Sequence, residues 1–300
     1  MSIAEAEIRE INLEAPGGLW RVAWERLRRN PAAIVGFALI LLFVICAIFA
    51  PLIAPFDPRG QGLDGRLAAS SPSWGHPFGL DALGRDQLSR IIYGARFSLL
   101  IGVVAVTVGL SAGLVLGSIA GYVGGIVDSL IMRLMDIMLS IPGLLLAIGI
   151  VAMLGPGLFQ IMIAVGAVNV PIFARLLRGS VLAQKENDFV LAARAVGVPR
   201  HTILASHILP NAISPVIVQA TLALATAIID VAGLGFLGLG PQDPSTPEWG
   251  TMLTDTVRFL QTAPHLAIIP GIAIVISVLG FNLIGDGLRE ALDPKMRGRA

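Results

Sequence analysis

Few residues in this 300-residue chain are placed to do chemistry. The clearest is Asp230, in AIIDVAGLGFLGLG, a carboxylate in the middle of an otherwise apolar run. An ionisable group in such a setting is costly to bury and therefore reads first as functional, lining a polar pathway or pairing with a partner helix. Both readings stay open for Asp230. Asp128, Asp136 and Asp286 lie near the ends of apolar runs, where water can solvate them. The four histidines, His76, His201, His207 and His265, are scattered, and neither H-E-x-x-H nor C-x-x-C occurs, so a metal site has little support. No G-x-x-x-x-G-K-[ST] loop is present, which excludes P-loop binding of ATP by this chain. Gly233-x-Gly235-x-x-Gly238 matches a dinucleotide fingerprint in letters only. It ends an apolar run instead of following a strand, and small residues that let helices pack closely are the better reading. The single cysteine, Cys46, lies inside an apolar run and reads as a packing residue.

The elements that must carry these residues are membrane helices. The chain is 55% hydrophobic and 14% charged, with a mean hydropathy of +0.81, against about 25% charged residues in an ordinary soluble domain. The net charge of +1 gives no reason to invoke nucleic acid. A bilayer core of about 30 Å takes about 20 apolar residues of helix. Uncharged runs place a first span in 31–56, a second in 97–127, a third and fourth in 137–174, a fifth in 208–240 and a sixth within 259–285. Gly155-Pro156-Gly157 divides the third from the fourth as a tight hairpin. The first run is too long for a secretory h-region and no Ala-x-Ala cleavage site follows it, so it reads as an anchor. The expectation is an all-α integral membrane protein of six transmembrane helices with both ends on one side. Its parts are a tail 1–30, a first span 31–56, an external loop 57–96, a five-helix core 97–290 and a tail 291–300.

Orientation follows from Lys and Arg. With the N-terminus inside, 15 of the 21 basic residues fall on inner segments and 6 on outer ones, which favours N-in and C-in. In the outer loop, Leu88, Ile91 and Ile92 share one helical face while Arg85, Ser89 and Arg96 lie elsewhere, predicting a helix along the outer surface.

One polar island lies between the long apolar runs: DFVLAARAVGVPRHTILASHILPN, residues 188–211, within an inner segment 175–211. Gly197-Val198-Pro199 forces a turn between two helix-compatible pieces, Asp188 to Ala195 and Arg200 to Leu209. Ala192 and Ala193 are small enough to admit a partner surface, and Phe189, Val190 and Ile203 could fill a groove. An ordinary helical hairpin in a loop is the alternative.

At these residues the chain resembles the inner-membrane permeases of bacterial ABC importers. Their coupling loop has the pattern Glu-Ala-Ala-x-x-x-Gly. Ala192, Ala193 and Gly197 match it, nine residues separate Gly197 from His207, and Pro210 follows. Leu191 stands where the pattern has Glu. The blocks RRNPAAIVGFALILLFVICAIFAPLIAPFDP, HPFGLDALGRDQLSRIIYGARFSL, RLMDIMLSIPGLLLAI, PEWGTML and GFNLIGDGLREALDP occur in order. They extend the resemblance over roughly residues 20–297, to the C-type permease of oligopeptide, dipeptide and nickel importers. The resemblance implies an ABC type I importer permease fold in the bacterial inner membrane. It implies a heterodimer with a second, homologous permease, the pore forming between the two, and an extracytoplasmic substrate-binding protein. Two ATP-binding subunits would hold ATP and Mg, leaving this chain without cofactor or catalysis. Ala192, Ala193 and Gly197 would form the docking element, with His207 and Pro210 fixing its return into the fifth span. Peptide is the implied cargo, with nickel or a modified peptide such as glutathione as the variant. An ion-coupled secondary transporter would show more buried acids, and a membrane-embedded enzyme would show a cluster of His, Cys or Asp.

Overall fold

The computed structural model describes residues 19–60, 69, 71–254 and 256–292, whose regular elements are all helices, with no strand among those residues. A short α1 (Leu19–Leu27) leads into α2 (Pro31–Ile53). The start of α2 is dictated locally: Pro31 occupies the first turn, where its missing N–H is harmless, and the Asn30 side chain accepts from the Ala33 amide at 3.1 Å. The long helix α3 (Gln87–Val123) follows, capped by Asp86, and then α4 (Gly125–Ser140), α5 (Gly143–Leu154) and α6 (Leu158–Lys185). The polar island forms α7 (Asp188–Ala195), α8 (Arg200–Thr202), a π-helical segment Ile203–Ile208 and α9 (Leu209–Ala212). The chain returns through α10 (Ser214–Leu234), a wide turn Gly235–Leu239, the short α11 (Trp249–Thr254) and the last helix α12 (His265–Leu292).

Five of these helices (α2, α3, α6, α10 with its closing turn, and α12) are long and apolar enough to cross a membrane. The pair α4 and α5 makes a sixth span if taken together. That pair bends by 95° at Ile141 and Pro142, a site where the residue before a proline is driven out of the helical region. The third span is therefore not the single straight helix beginning at Ile137 that the uncharged run suggests. α5 alone has 12 residues, about 18 Å at 1.5 Å per residue, too short for the hydrocarbon core. The turn at Gly155-Pro156-Gly157 is as expected, with Gly155 at φ +89° and Gly157 at +152°.

The helix expected along the outer surface is not a separate element. Gln87 to Arg96 is the first part of α3, continuous with the second span through 37 residues. No proline or helix-breaking turn separates the two, and Gln87, Ser89, Arg90, Ile92 and Ala95 are buried.

α3 and α6 form the most extensive interface in the fold. Gly109, Gly113, Gly117 and Gly121 recur every four residues on α3, and α6 backbone sits against them. A Cβ on Gly117 would lie 2.5 Å from the Ala174 carbonyl oxygen, and one on Gly109 2.6 Å from that of Gly166. Without a hydrophobic drive between helices in lipid, such close approach is what supplies dispersion energy. The main core gathers around this pair, from Ile101 and Val106 through Phe173, Leu177 and Val181 to Val216 and Val231. α2 docks on α12 by the same device, Gly36 against Gly280.

The helix ends sort into two groups. The start of α2, the end of α12 and the α6–α9 region share one end: Asn30 Nδ2 donates to Glu290 at 2.7 Å, a Cβ on Gly287 would meet Ala33, and Arg289 and Leu292 line a pocket with Ser214 and Pro215. The end of α2, the start of α3, the 155–157 turn and the 240–265 segment share the other. There Phe56 N donates to Ser89, Gly157 N to Leu239 O, and Trp249 Nε1 to Ile91 O.

Candidate functional site

The polar island is a helical hairpin whose turn is fixed by glycine. α7 ends at Ala195. Gly197, at φ +79°, donates from its amide to Arg194 O at 3.0 Å, and Val198 donates to Ala193 O at 3.1 Å. This is the Schellman closure, which needs a residue in the left-handed region at the position Gly197 fills. Pro199 then starts α8, its carbonyl accepting from Ile203 N. Beyond it the backbone widens into π-helical turns, with Leu209 N bonded to Leu204 O five residues back. The second piece, expected as ordinary helix from Arg200 to Leu209, is therefore π-helical through Ile203–Ile208. Pro210 follows directly and offers no N–H to continue the ladder. Such widened turns are frequent at functional positions.

The two faces of the hairpin differ sharply. Val190, Ile203 and Ile208 are 0% exposed and, with Ala193, belong to the same core as Leu177 and Val181 on α6 and Ala212 at the end of α9. Val190 and Ile203 are therefore not groove-fillers for a partner; this chain's own core already surrounds them. Ala193 is likewise turned inward. The exposed face presents Phe189, Leu191, Ala192 and Val196, the last 80% exposed. Gly197 and Pro210 are exposed, and His207 is partly buried. The His207 Nδ1 has no partner among the described residues, while its carbonyl accepts from Asn211 Nδ2 at 2.7 Å. The six sequence-selected residues thus separate: Ala192 and Gly197 on the outward side, Ala193 inside, His207 and Pro210 at the widened return, and Asp230 away from all of them on α10. Asp230 is partly exposed beside Ile229, and makes no ion pair or side-chain hydrogen bond with another described residue.

The opposite end holds a polar cluster that motif reading passes over. His76 and Asp86 are both 0% exposed and 2.9 Å apart, and Asp86 also accepts from the Ser89 amide at 2.8 Å and hydroxyl at 2.7 Å. Arg85 donates to Asp81 at 2.7 Å and to Pro244 O at 2.5 Å, and Arg90 lies 3.3 Å from Asp81 and donates to Pro58 O. Glu248, 1% exposed, accepts from the amides of Gly250 and Thr251 at 2.8 Å and from Ser98 at 3.3 Å. Burial pushes its carboxyl above the usual glutamate range, and those donors pull it part of the way back. Asp86 and Glu248 are the sites motif reading misses. The available signal is Asp86-x-x-Ser89, an N-cap spacing. Close packing accounts for Gly235, where a Cβ would lie 2.6 Å from Glu248 Oε2, while Gly238 takes a left-handed turn at φ +78°.

The binding-protein-dependent transport system inner membrane component family matches residues 113–298, and the N-terminal TM domain of oligopeptide transport permease C matches residues 18–71. The chain belongs to this permease family. It is 52% identical to the dipeptide transport system permease protein DppC of Alkalihalophilus pseudofirmus, over 93% of this chain and 90% of that one. It is 48% identical to the di/tripeptide transport system permease protein DppC of Pseudomonas aeruginosa, over 92% of each. To the glutathione transport system permease protein GsiD of Shigella flexneri it is 48% identical, over 93% and 91%. Among solved structures, a chain of the MetNI methionine ABC transporter superposes with a TM-score of 0.57 at 21% identity, covering 68% of this permease and 96% of that chain. That likeness shows the fold. The permease is thus an all-helical inner-membrane component of a bacterial ABC importer.

Proposed function

We propose that this permease forms half of the translocation pore of an ATP-driven peptide importer and that its 186–212 hairpin receives the stroke of a separate ATPase subunit. The observation that carries the coupling role is the division of that hairpin into two faces. Its outward side leaves Phe189, Leu191, Ala192 and Val196 free for a partner, while Val190, Ala193, Ile203 and Ile208 pack into the core of α6 and α10. Force applied to the outer side therefore reaches two spans without an intervening flexible joint. The curated relatives named above supply the cargo class: dipeptides, di/tripeptides and glutathione are all peptidic. In this reading the permease performs no chemistry. ATP and Mg belong to two partner subunits, a second permease completes the pore, and an extracytoplasmic binding protein delivers cargo. The end holding the hairpin and the helix termini α2-start and α12-end faces the cytoplasm, as its excess of Lys and Arg favours.

The test is peptide uptake by proteoliposomes holding the complete transporter with ATP enclosed. Ala192→Glu places an unpaired charge on the outward face without touching the core. It is expected to abolish uptake and to reduce copurification of the ATPase subunits, while the permease still inserts and keeps its melting temperature. Undiminished uptake with full copurification removes the hairpin from the coupling path. Uptake that needs an ion gradient instead of ATP overturns the importer reading itself.

A further inference from the structure

A second feature of the hairpin end is a cleft of about 490 Å³, open to solvent, between the hairpin and the ends of α3 and α6. Its walls are Tyr122, Val123 and Lys185 on one side and Arg194, Val198, Arg200 and Ile203 on the other. Three cations line it and no carboxylate does; the nearby Glu186 and Asp188 are exposed and lie outside its walls. Lys185 Nζ donates to Tyr122 O at 3.0 Å and sits 5.8 Å from the centre of the Tyr122 ring, which holds it at the mouth. An ammonium has three donors, so further capacity remains. Neither Arg194 nor Arg200 makes an ion pair or side-chain hydrogen bond with another described residue. On α6 itself the arginines are paired: Arg178 is bound to Asp128 at 2.5 and 2.6 Å, and Arg175 to Asp136.

The cleft lies beside the C-terminal ends of α3, at Val123, and α6, at Lys185, both of them helices long and apolar enough to cross a membrane. Its apolar lip continues along α4: Val123 is 60% exposed, and Ile126 and Leu130, one turn apart on a shared face, are exposed as well. A cationic recess joined to an exposed apolar track fits an amphiphile with an anionic head. We infer that this cleft binds the phosphate headgroup of an anionic phospholipid, with Lys185, Arg194 and Arg200 on the phosphate and an acyl chain along Val123, Ile126 and Leu130. Guanidinium groups take phosphate oxygens in bidentate pairs, and basic recesses between spanning helices suit such headgroups. The lipid would bridge the hairpin to the α3 end, so its occupancy would set how firmly the hairpin is held to the spans. The inference concerns a headgroup, not a cargo, and stands apart from the transport reading.

The experiment is native mass spectrometry of the purified full-length permease, presented with phosphatidylglycerol or phosphatidylcholine at equal concentration. Phosphatidylglycerol is expected to be retained about tenfold more strongly, and the preference to shrink at raised salt. Arg194→Gln with Arg200→Gln should lower that retention about tenfold. Arg194→Lys with Arg200→Lys should keep most of it, and Arg21→Gln with Arg26→Gln, outside the cleft, should leave it unchanged. Three results overturn the assignment: equal retention of phosphatidylcholine, full retention of phosphatidylglycerol by the glutamine pair, or displacement of lipid by an equal concentration of inorganic phosphate. Should the glutamine pair fail to fold, the salt and headgroup dependence of the unsubstituted chain decide.

Discussion

Arg96 on α3 donates its Nε to the carbonyl oxygen of Ala47 on α2, and its Nη2 to Ile48 O at 3.1 Å. Ala47 lies four residues before Pro51, the proline inside α2, so its carbonyl is the one that proline leaves without a helical donor. The same repair occurs at the last helix. Pro270 lies inside α12, and the carbonyl it orphans, that of Leu266, accepts from Gln87 Nε2 on α3 at 3.0 Å. Two prolines on flanking spans are thus each completed by a polar side chain from the first ten residues of α3. That relationship explains why Gln87 and Arg96 belong inside a long helix.

Removing one partner of such a pair leaves a backbone acceptor unmade. Gln87→Leu, at a buried position, should lower stability by about 1–3 kcal/mol, read as thermal unfolding in detergent. Arg96→Met should cost less, since its site is exposed. Pro270→Ala restores an N–H to the Leu266 carbonyl and should recover part of the Gln87→Leu loss, as Pro51→Ala should for Arg96→Met. Strict additivity in both double-mutant cycles would show that the paired residues are not coupled.

The glycine stripe on α3 gives a second expectation. At Gly117 a Cβ meets backbone, which cannot swing aside, so Gly117→Ala should cost about 1–3 kcal/mol as an overpacked site and Gly117→Leu should prevent accumulation of folded permease. Gly149→Ala is the control: nothing lies within 4 Å of a Cβ there. Equal melting temperatures for Gly117→Ala and Gly149→Ala would mean that α3 and α6 do not approach as closely as described.

Much of this architecture is legible in the residues because a bilayer punishes charge. The uncharged runs mark the spans, Gly155-Pro156-Gly157 marks a turn, and Gly197-Val198-Pro199 marks the hairpin, each by a local rule about charge or φ. What is not legible depends on contacts remote in sequence. Arg85, Ser89 and Arg96, set off from Leu88, Ile91 and Ile92, make this stretch look like a surface helix until Asp81, Asp86 and the carbonyls of Ala47 and Ile48 are seen to receive them. Pro142 bends the third span within an apolar run where hydropathy shows no break. Ala192 and Ala193 are identical as letters, yet only the course of α7 turns one outward and the other into the core.

The hairpin turn is the most restrictive local site. Gly197 has open space for a Cβ but sits at φ +79°, so a substitution is strained by backbone alone. Gly197→Val should cost about 1–2 kcal/mol or more, a β-branched residue being the least tolerant of this region. Peptide uptake should fall by more than that loss of stability explains, with the permease still folded and inserted, because the turn lies at the exposed tip. Wild-type uptake by Gly197→Val would show that the tip geometry is not transmitted to the pore.

Glu248 gives a dependence on pH whose sign is fixed by its burial. Desolvation raises its carboxyl above the ordinary value, against the pull of the Gly250, Thr251 and Ser98 donors. The folded permease therefore holds this proton when the unfolded chain has released it. The stability this confers is complete below the ordinary glutamate value of 4.5 and is lost as pH rises through the folded value. Other carboxylates titrate over the same span, so the readout is a difference. The melting temperature of the unsubstituted permease minus that of Glu248→Gln should decline as pH rises above 4.5. Glutamine offers one acceptor oxygen to two amides that now have one each, so the variant starts from a lower stability, and only the slope is diagnostic. A difference that stays flat or climbs with pH would place the ionised carboxylate, held by its donors, as the favoured form in the fold.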